Sequence, residues 1–162
     1  MKIAIIGSGG REHAFCQKFY ESKKVTKIFC IPGNGGTRKI AENINIDIKN
    51  FKNIKNFLKN EKIDLTVIGP EGPLVNGLVD FLKKYEIKVF GPDKFCSQLE
   101  GSKIFTKKLC SLKKIPTADF KILNNISSAI DYLKQKKYPL VVKADGLAAG
   151  KGVYICENFL SA

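Results

Sequence analysis

The chain has 162 residues, 44% of them hydrophobic, enough for one full domain and part of a second. No apolar run reaches the length of a membrane span, and the start, MKIAIIG, breaks into glycine too early for a secretory signal, so a cytoplasmic location is expected. The net charge of +13 comes from 28 basic residues, all lysine but Arg11 and Arg38, scattered along the chain. That pattern suits solvated helix faces and argues against a nucleic-acid footprint, which favours arginine gathered on one face. An excess of positive potential still draws in small anions.

In chain order, strand and helix patterns alternate from the first residue. A strand over Lys2 to Ile6 is followed by a helix over Arg11 to Ser22, a strand over Thr26 to Ile31 and a short strand over Ile44 to Ile48. A helix over Asn50 to Asn60, a strand over Leu65 to Ile68, a helix over Leu74 to Tyr85 and a strand over Lys88 to Phe90 continue the pattern. Such alternation predicts a Rossmann-like α/β fold, a parallel sheet with helices on both faces. Beyond it, Ser102 is placed to cap a helix running to Leu112. A strand over Ala118 to Leu123, a helix over Ser127 to Gln135 and two further strands, Leu140 to Val142 and Val153 to Cys156, then begin a second, α+β unit. Five cysteines, odd in number and without a C-x-x-C pair, read as buried reduced thiols.

Ligands of parallel sheets sit at the carboxyl ends of the strands, so the loops there carry the functional signal. They are GSGGREHA after the first strand, PGNGGT after the second, GPEGP after the Leu65 strand and GPD after the last. The first is not a dinucleotide fingerprint: Glu12 stands at the third glycine position, and the second strand ends in Pro-Gly where an acid should hold a ribose. A glycine turn feeding a helix, with Arg11 at its edge, remains a seat for a phosphate. In the second unit, Lys143 ends a strand and leads into ADGLAAGKG. Gly146, Gly150 and Gly152 around Lys151 make a loop suited to phosphate oxygens. It is not a P-loop, because Asp145 stands where its first glycine belongs and Gly152 where Ser or Thr belongs. Lys103 falls in the first turn of its helix, where the dipole disfavours a cation by roughly 0.3 to 1 kcal/mol.

GSGGREHA, PGNGGT, VIGPEGPLVNG, VFGP, QLEGSK with FTK, IPTA and KADGLAAGKGV, in this order from Gly7 to Val153, resemble the phosphoribosylamine–glycine ligase (glycinamide ribonucleotide synthetase) family of ATP-grasp enzymes over essentially the whole chain. The resemblance implies a pre-ATP-grasp domain over residues 1–101 and the start of an ATP-grasp domain over 102–162. It implies purine biosynthesis: ATP, glycine and 5-phosphoribosylamine give glycinamide ribonucleotide, ADP and phosphate through a glycyl phosphate.

By the same resemblance, Lys103 and Lys143 match the lysines that reach the ATP phosphates and the adenine side. Gly146, Gly150, Lys151 and Gly152 match the mobile loop that closes over the phosphates. Gly9, Gly10, Arg11, Glu12, Asn34 and Glu71 fall in loops that face the ribose phosphate substrate. The plainer alternatives are that Glu12 and His13 begin a helix, that Asp145 caps the loop turn and that Glu71 is a solvated loop acid. No catalytic residue is assigned. The family's Mg²⁺ or Mn²⁺ ligands have no match up to Ala162, so no metal site is assigned; those ligands and the rest of the ligase chain are expected beyond it, and these residues alone are expected not to complete the reaction. The other readings are a different ATP-grasp carboxylate–amine ligase or a non-catalytic nucleotide- or phosphate-binding fragment, in each case without nucleic-acid or membrane partners.

Overall fold

The computed structural model describes residues 1–148 and 150–162, which form two compact units, Met1–Ser97 and Gln98–Ala162. In the first, strands β1 (Lys2–Gly7), β2 (Lys27–Pro32), β3 (Glu42–Asn43), β4 (Leu65–Ile68) and β5 (Val89–Phe90) form one sheet in the order β3-β2-β1-β4-β5, every neighbouring pair parallel. The intervening helices are α1 (Gly10–Tyr20), α2 (Phe51–Asn60), α3 (Glu71–Val75) and α4 (Leu78–Lys83).

Side-chain alternation explains why the sheet is covered on both faces. Ile3 and Ile5 of β1 pack with Ile28 and Cys30 of β2, Val67 of β4 and Cys16 of α1. Ala4 and Ile6 point the other way, joining Phe29, Ile31 and Ile68 under Ile54 and Leu58 of α2 and Leu78, Val79 and Leu82 of α4. Phe29 meets Phe57 edge-to-face with ring centroids 5.2 Å apart.

Four expectations are corrected. The alternating Ile44, Ile46 and Ile48 do not form a strand: pairing with β2 occurs at Glu42 and Asn43, the Ile44 N–H adds one more bond to Cys30, and the isoleucines pack against the core as a cover. The helix expected over Leu74 to Tyr85 is split, because Gly77 has φ +86° between α3 and α4. Ala118 to Leu123 is not a strand; Lys107 Nζ instead holds Thr117 Oγ1 at 2.6 Å and the Ala118 carbonyl at 2.8 Å. All five cysteines are free, but only Cys16, Cys30 and Cys156 are buried; Cys96 is exposed and Cys110 intermediate.

The second unit contains α5 (Gln98–Gly101), α6 (Lys103–Leu112), α7 (Ile126–Lys134) and a two-stranded antiparallel sheet of β6 (Leu140–Lys143) and β7 (Val153–Cys156). Asn125 caps α7 by accepting the Ser128 N–H at 2.8 Å. No helix among the described residues is long and apolar enough to cross a membrane.

Candidate functional site

In the first unit, β1 lies between β2 and β4, and the chain runs from it to one side and then the other. The loops after β1, β2 and β4 open at that switch point, where a parallel sheet has its natural crevice. Two polar ties join them. Asn34 Nδ2 donates to the carbonyls of Ser8 (2.9 Å) and Gly9 (3.3 Å), while its Oδ1 accepts the N–H groups of Gly36 (2.8 Å) and Thr37 (3.0 Å). On the other side, Arg11 Nη1 donates to Glu71 Oε1 at 2.9 Å.

Beneath Arg11 lies Glu12, only 3% exposed. It sits in the first turn of α1, where a carboxylate answers unpaired backbone donors and the helix dipole. Its Oε2 accepts the Gly9 N–H at 2.6 Å and its Oε1 accepts Arg11 Nε at 3.3 Å. Its seat is cut by glycines: a Cβ at Gly7, Gly9 or Gly69 would run into the Glu12 side chain. A Cβ at Gly36 would likewise run into the His13 imidazole. Of the residues predicted to face a substrate, Gly9, Arg11, Glu12, Asn34 and Glu71 are thus brought together by hydrogen bonds, with Gly10 exposed between Gly9 and Arg11. Arg11 and Glu71 present themselves outward, and Glu12 lies behind them.

The Arg11 hydrogen bond, and then the backbone, hold the Glu71 carboxyl below its ordinary value of 4.5. A carboxyl with a lowered folded-state pKa adds stability that is fully present above that ordinary value and is lost as the pH falls through the folded value. With both side chains partly in water, the loss between pH 5 and pH 3 is expected to be at most about 1 kcal/mol. Comparing urea melts of the chain and of Glu71→Gln across that range checks it; the pH dependence they do not share is this pair.

In the second unit, two motifs about forty residues apart converge. Ser102 caps α6, its hydroxyl oxygen accepting the Phe105 N–H at 3.0 Å and its hydrogen pointing to the Asp145 carboxylate at 3.1 to 3.2 Å. Asp145 also accepts the Ile104 N–H at 3.2 Å, and Lys103 Nζ donates to the Gly146 carbonyl at 2.9 Å. Desolvation pushes the Asp145 carboxyl up, but the Ile104 and Gly146 N–H groups and the Ser102 hydroxyl outweigh it and leave the group below its usual range. The helix start that disfavours Lys103 is therefore offset by a carboxylate from the neighbouring loop.

Asp145 is the residue that sequence reasoning underrated. Its signal was an acid at the head of a glycine loop in a lysine-rich segment, but its partner helix is remote in the chain. Gly146, Gly150 and Gly152 have φ of +87°, +77° and +75°, conformations L side chains rarely adopt, so the loop's path depends on them. Lys143 ends β6 and Lys151 lies in the loop, both exposed. Ala149, within the loop expected to cover phosphates, lies outside the described residues. Among the described residues there is no group of three or more His, Cys, Asp or Glu side chains that fits a metal ion.

A family model described as phosphoribosylglycinamide synthetase, N domain, matches residues 1–100, and one described as phosphoribosylglycinamide synthetase, ATP-grasp (A) domain, matches residues 101–162. Phosphoribosylamine–glycine ligase of Caldanaerobacter subterraneus is 45% identical over 162 residues, covering 100% of this chain and 39% of that protein. The Escherichia coli K12 protein of the same name is 46% identical over 164 residues, covering 100% of this chain and 38% of that protein. The chain thus spans 38 to 39% of the length of these curated relatives. Among solved structures, phosphoribosylamine–glycine ligase from Thermotoga maritima superimposes with a TM-score of 0.78 at 32% identity, over 99% of this chain and 37% of that one. N5-carboxyaminoimidazole ribonucleotide synthetase from Thermotoga maritima, with a TM-score of 0.72 at 20% identity over 99% of this chain and 43% of that one, shares the fold alone.

Proposed function

The chain belongs to the phosphoribosylglycinamide synthetase family, and on that premise we propose that it supplies part of an ATP-dependent ligase joining glycine to 5-phosphoribosylamine in purine biosynthesis. Residues 1–101 are the pre-ATP-grasp domain and 102–162 the start of the ATP-grasp domain. The crevice of Gly9, Gly10, Arg11, Asn34 and Glu71, with Glu12 behind it, takes the phosphate-bearing substrate. Lys103, Lys143, Gly146, Gly150, Lys151 and Gly152 bind ATP. The setting is the cytoplasm, and the partners are the small substrates and the remainder of the ligase.

The observation that carries this reading is the gathering of the loops after β1, β2 and β4 at the strand-order switch around an outward-facing arginine. A guanidinium and backbone N–H groups at a helix start are the donors a phosphomonoester needs. In the second unit the donor set also fits phosphates: two lysines and a loop whose glycines let backbone N–H groups approach oxygen atoms. Lys103, held on the Gly146 carbonyl, orients the loop, and the two exposed lysines offset the charge of polyphosphate oxygens. ATP supplies the activation of the glycine carboxylate. Among the described residues there is no group of three or more carboxylate, histidine or cysteine side chains for a divalent cation, so the Mg²⁺ or Mn²⁺ ligands are assigned to the remainder of the ligase and no step is assigned to the cation here.

The test is a graft. Residues 1–162 replace the aligned stretch of the Escherichia coli relative, and ADP release is followed with ATP, Mg²⁺, glycine and phosphoribosylamine. Turnover dependent on both glycine and phosphoribosylamine, within about tenfold of the parent and inside the usual enzymatic range of roughly 1 to 1000 per second, is expected. A folded graft that binds ATP but releases no glycine-dependent ADP overturns the proposal.

A further inference from the structure

Arg11 is already engaged on both sides. Its Nε rests on Glu12, and its Nη1 crosses the crevice to Glu71 Oε1. These two anions differ in how easily they can leave. The Glu12 side chain is 4% exposed, its other oxygen is held by the Gly9 N–H, and Gly7, Gly9 and Gly69 close around it. The Glu71 side chain is 39% exposed and stands at the start of the short helix α3, where rotation about its own bonds carries the carboxylate into water. A guanidinium fork donates to carboxylate or phosphate oxygens with similar geometry, so Glu71 sits where an oxygen of an entering anion would be received.

We propose that the Arg11–Glu71 pair is an autoinhibitory latch, in which Glu71 occupies, in the ligand-free crevice, the arginine nitrogen that a phosphomonoester dianion takes over on binding. The latch rests on the reading of this crevice as the seat of the phosphate-bearing substrate. Its consequence is a reduced apparent affinity, equal to the intrinsic affinity multiplied by the fraction of molecules in which Arg11 is released. For an ion pair this exposed, that factor is up to about fivefold. Glu71 must also swing out of the way, because a carboxylate left in place repels the incoming dianion. The exchange favours anions: a neutral sugar lacking the phosphate gains nothing from opening the pair.

Isothermal titration calorimetry of the 162-residue chain at low ionic strength tests this, with inorganic phosphate and ribose 5-phosphate as separate probes. Glu71→Gln is expected to bind inorganic phosphate about three- to fivefold more tightly than the unsubstituted chain. Arg11→Gln is expected to lose at least fivefold with both probes. Glu71→Ala is the second latch variant, used if Glu71→Gln fails to fold, and it carries the same expectation. Affinity of the folded Glu71 variants no better than that of the unsubstituted chain overturns the latch. If Arg11→Gln weakens both probes in the same experiment, the crevice reading survives that failure; if Arg11→Gln changes neither, the crevice reading falls and the latch with it.

Discussion

Gly7→Ala is expected to destabilise the Met1–Ser97 unit by about 3 to 4 kcal/mol, a large share of a typical domain's stability. Two independent costs add at this residue. Its φ is +130°, a backbone conformation that an L side chain takes only under strain. A Cβ built there also lies 2.5 Å from Glu12 Cγ and 2.6 Å from Glu12 Cδ, so the buried carboxylate must leave its hydrogen bond with Gly9. Gly69→Ala isolates the second cost: its φ is not in the left-handed region, yet its Cβ would meet the same carboxylate from β4's side. That substitution is expected to cost about 2 kcal/mol, from overpacking and a displaced polar group. In a Glu12→Ala background the extra cost of Gly69→Ala should shrink to about 0.5 kcal/mol or less, while Gly7→Ala retains its backbone strain. Urea midpoints, with amide exchange at β1 to confirm which unit melts, read the unsubstituted chain, Glu12→Ala and each glycine substitution in both backgrounds. Equal costs of Gly69→Ala with and without Glu12 would show that the glycines are not shaped by that side chain.

This glycine cradle marks the boundary of what the sequence made legible. β1 and β4 could be read because an apolar run bounded by glycine leaves few alternatives, and Ser102 could be read as a cap because its role is local. The Ile44 to Ile48 segment has strand alternation but lies beyond the paired end of β2, so burial and not pairing used the pattern. The stripe from Leu74 to Leu82 is equally real; periodicity of side chains does not report that Gly77 turns the backbone between them. A strand-like Ala118 to Leu123 needs a partner for its N–H groups, which composition cannot supply. At the site, the loops and their lysines and glycines were visible as residue types. That Glu12 would be buried was not, since a charged residue beside an arginine reads as exposed until three glycines from three different positions are found around it.

The same limit concealed Asp145, and its substitution has the largest expected effect on activity. Asp145 joins the start of α6 to the head of the glycine loop through Ser102 and the Ile104 N–H, while Lys103 returns a bond to the Gly146 carbonyl. These five residues form a closed tie, so removing the carboxylate frees the helix start, the lysine and the loop together. The local stability lost is modest, about 1 to 2 kcal/mol for the hydrogen bonds to a charged acceptor in a largely exposed setting. The loss of positioning is larger: phosphoryl transfer depends on placing cationic and N–H donors, and a displacement of about 1 Å can cost about 100-fold. In the graft described above, Asp145→Ala is therefore expected to lower glycine-dependent ADP release about 100-fold. Asp145→Asn, which keeps an acceptor for Ser102 and Ile104 but loses the charge facing the helix start, should fall only about fivefold. Amide exchange of Ile104 and Phe105 should quicken in Asp145→Ala whatever the activity shows, giving a reading of the tie that does not depend on the reaction. Lys103→Met added to Asp145→Ala should cost less than the product of the two single effects, because both act through one arrangement. Activity of Asp145→Ala within twofold of the parent graft, with exchange at Ile104 unchanged, would leave Asp145 as a surface acid without a positioning role.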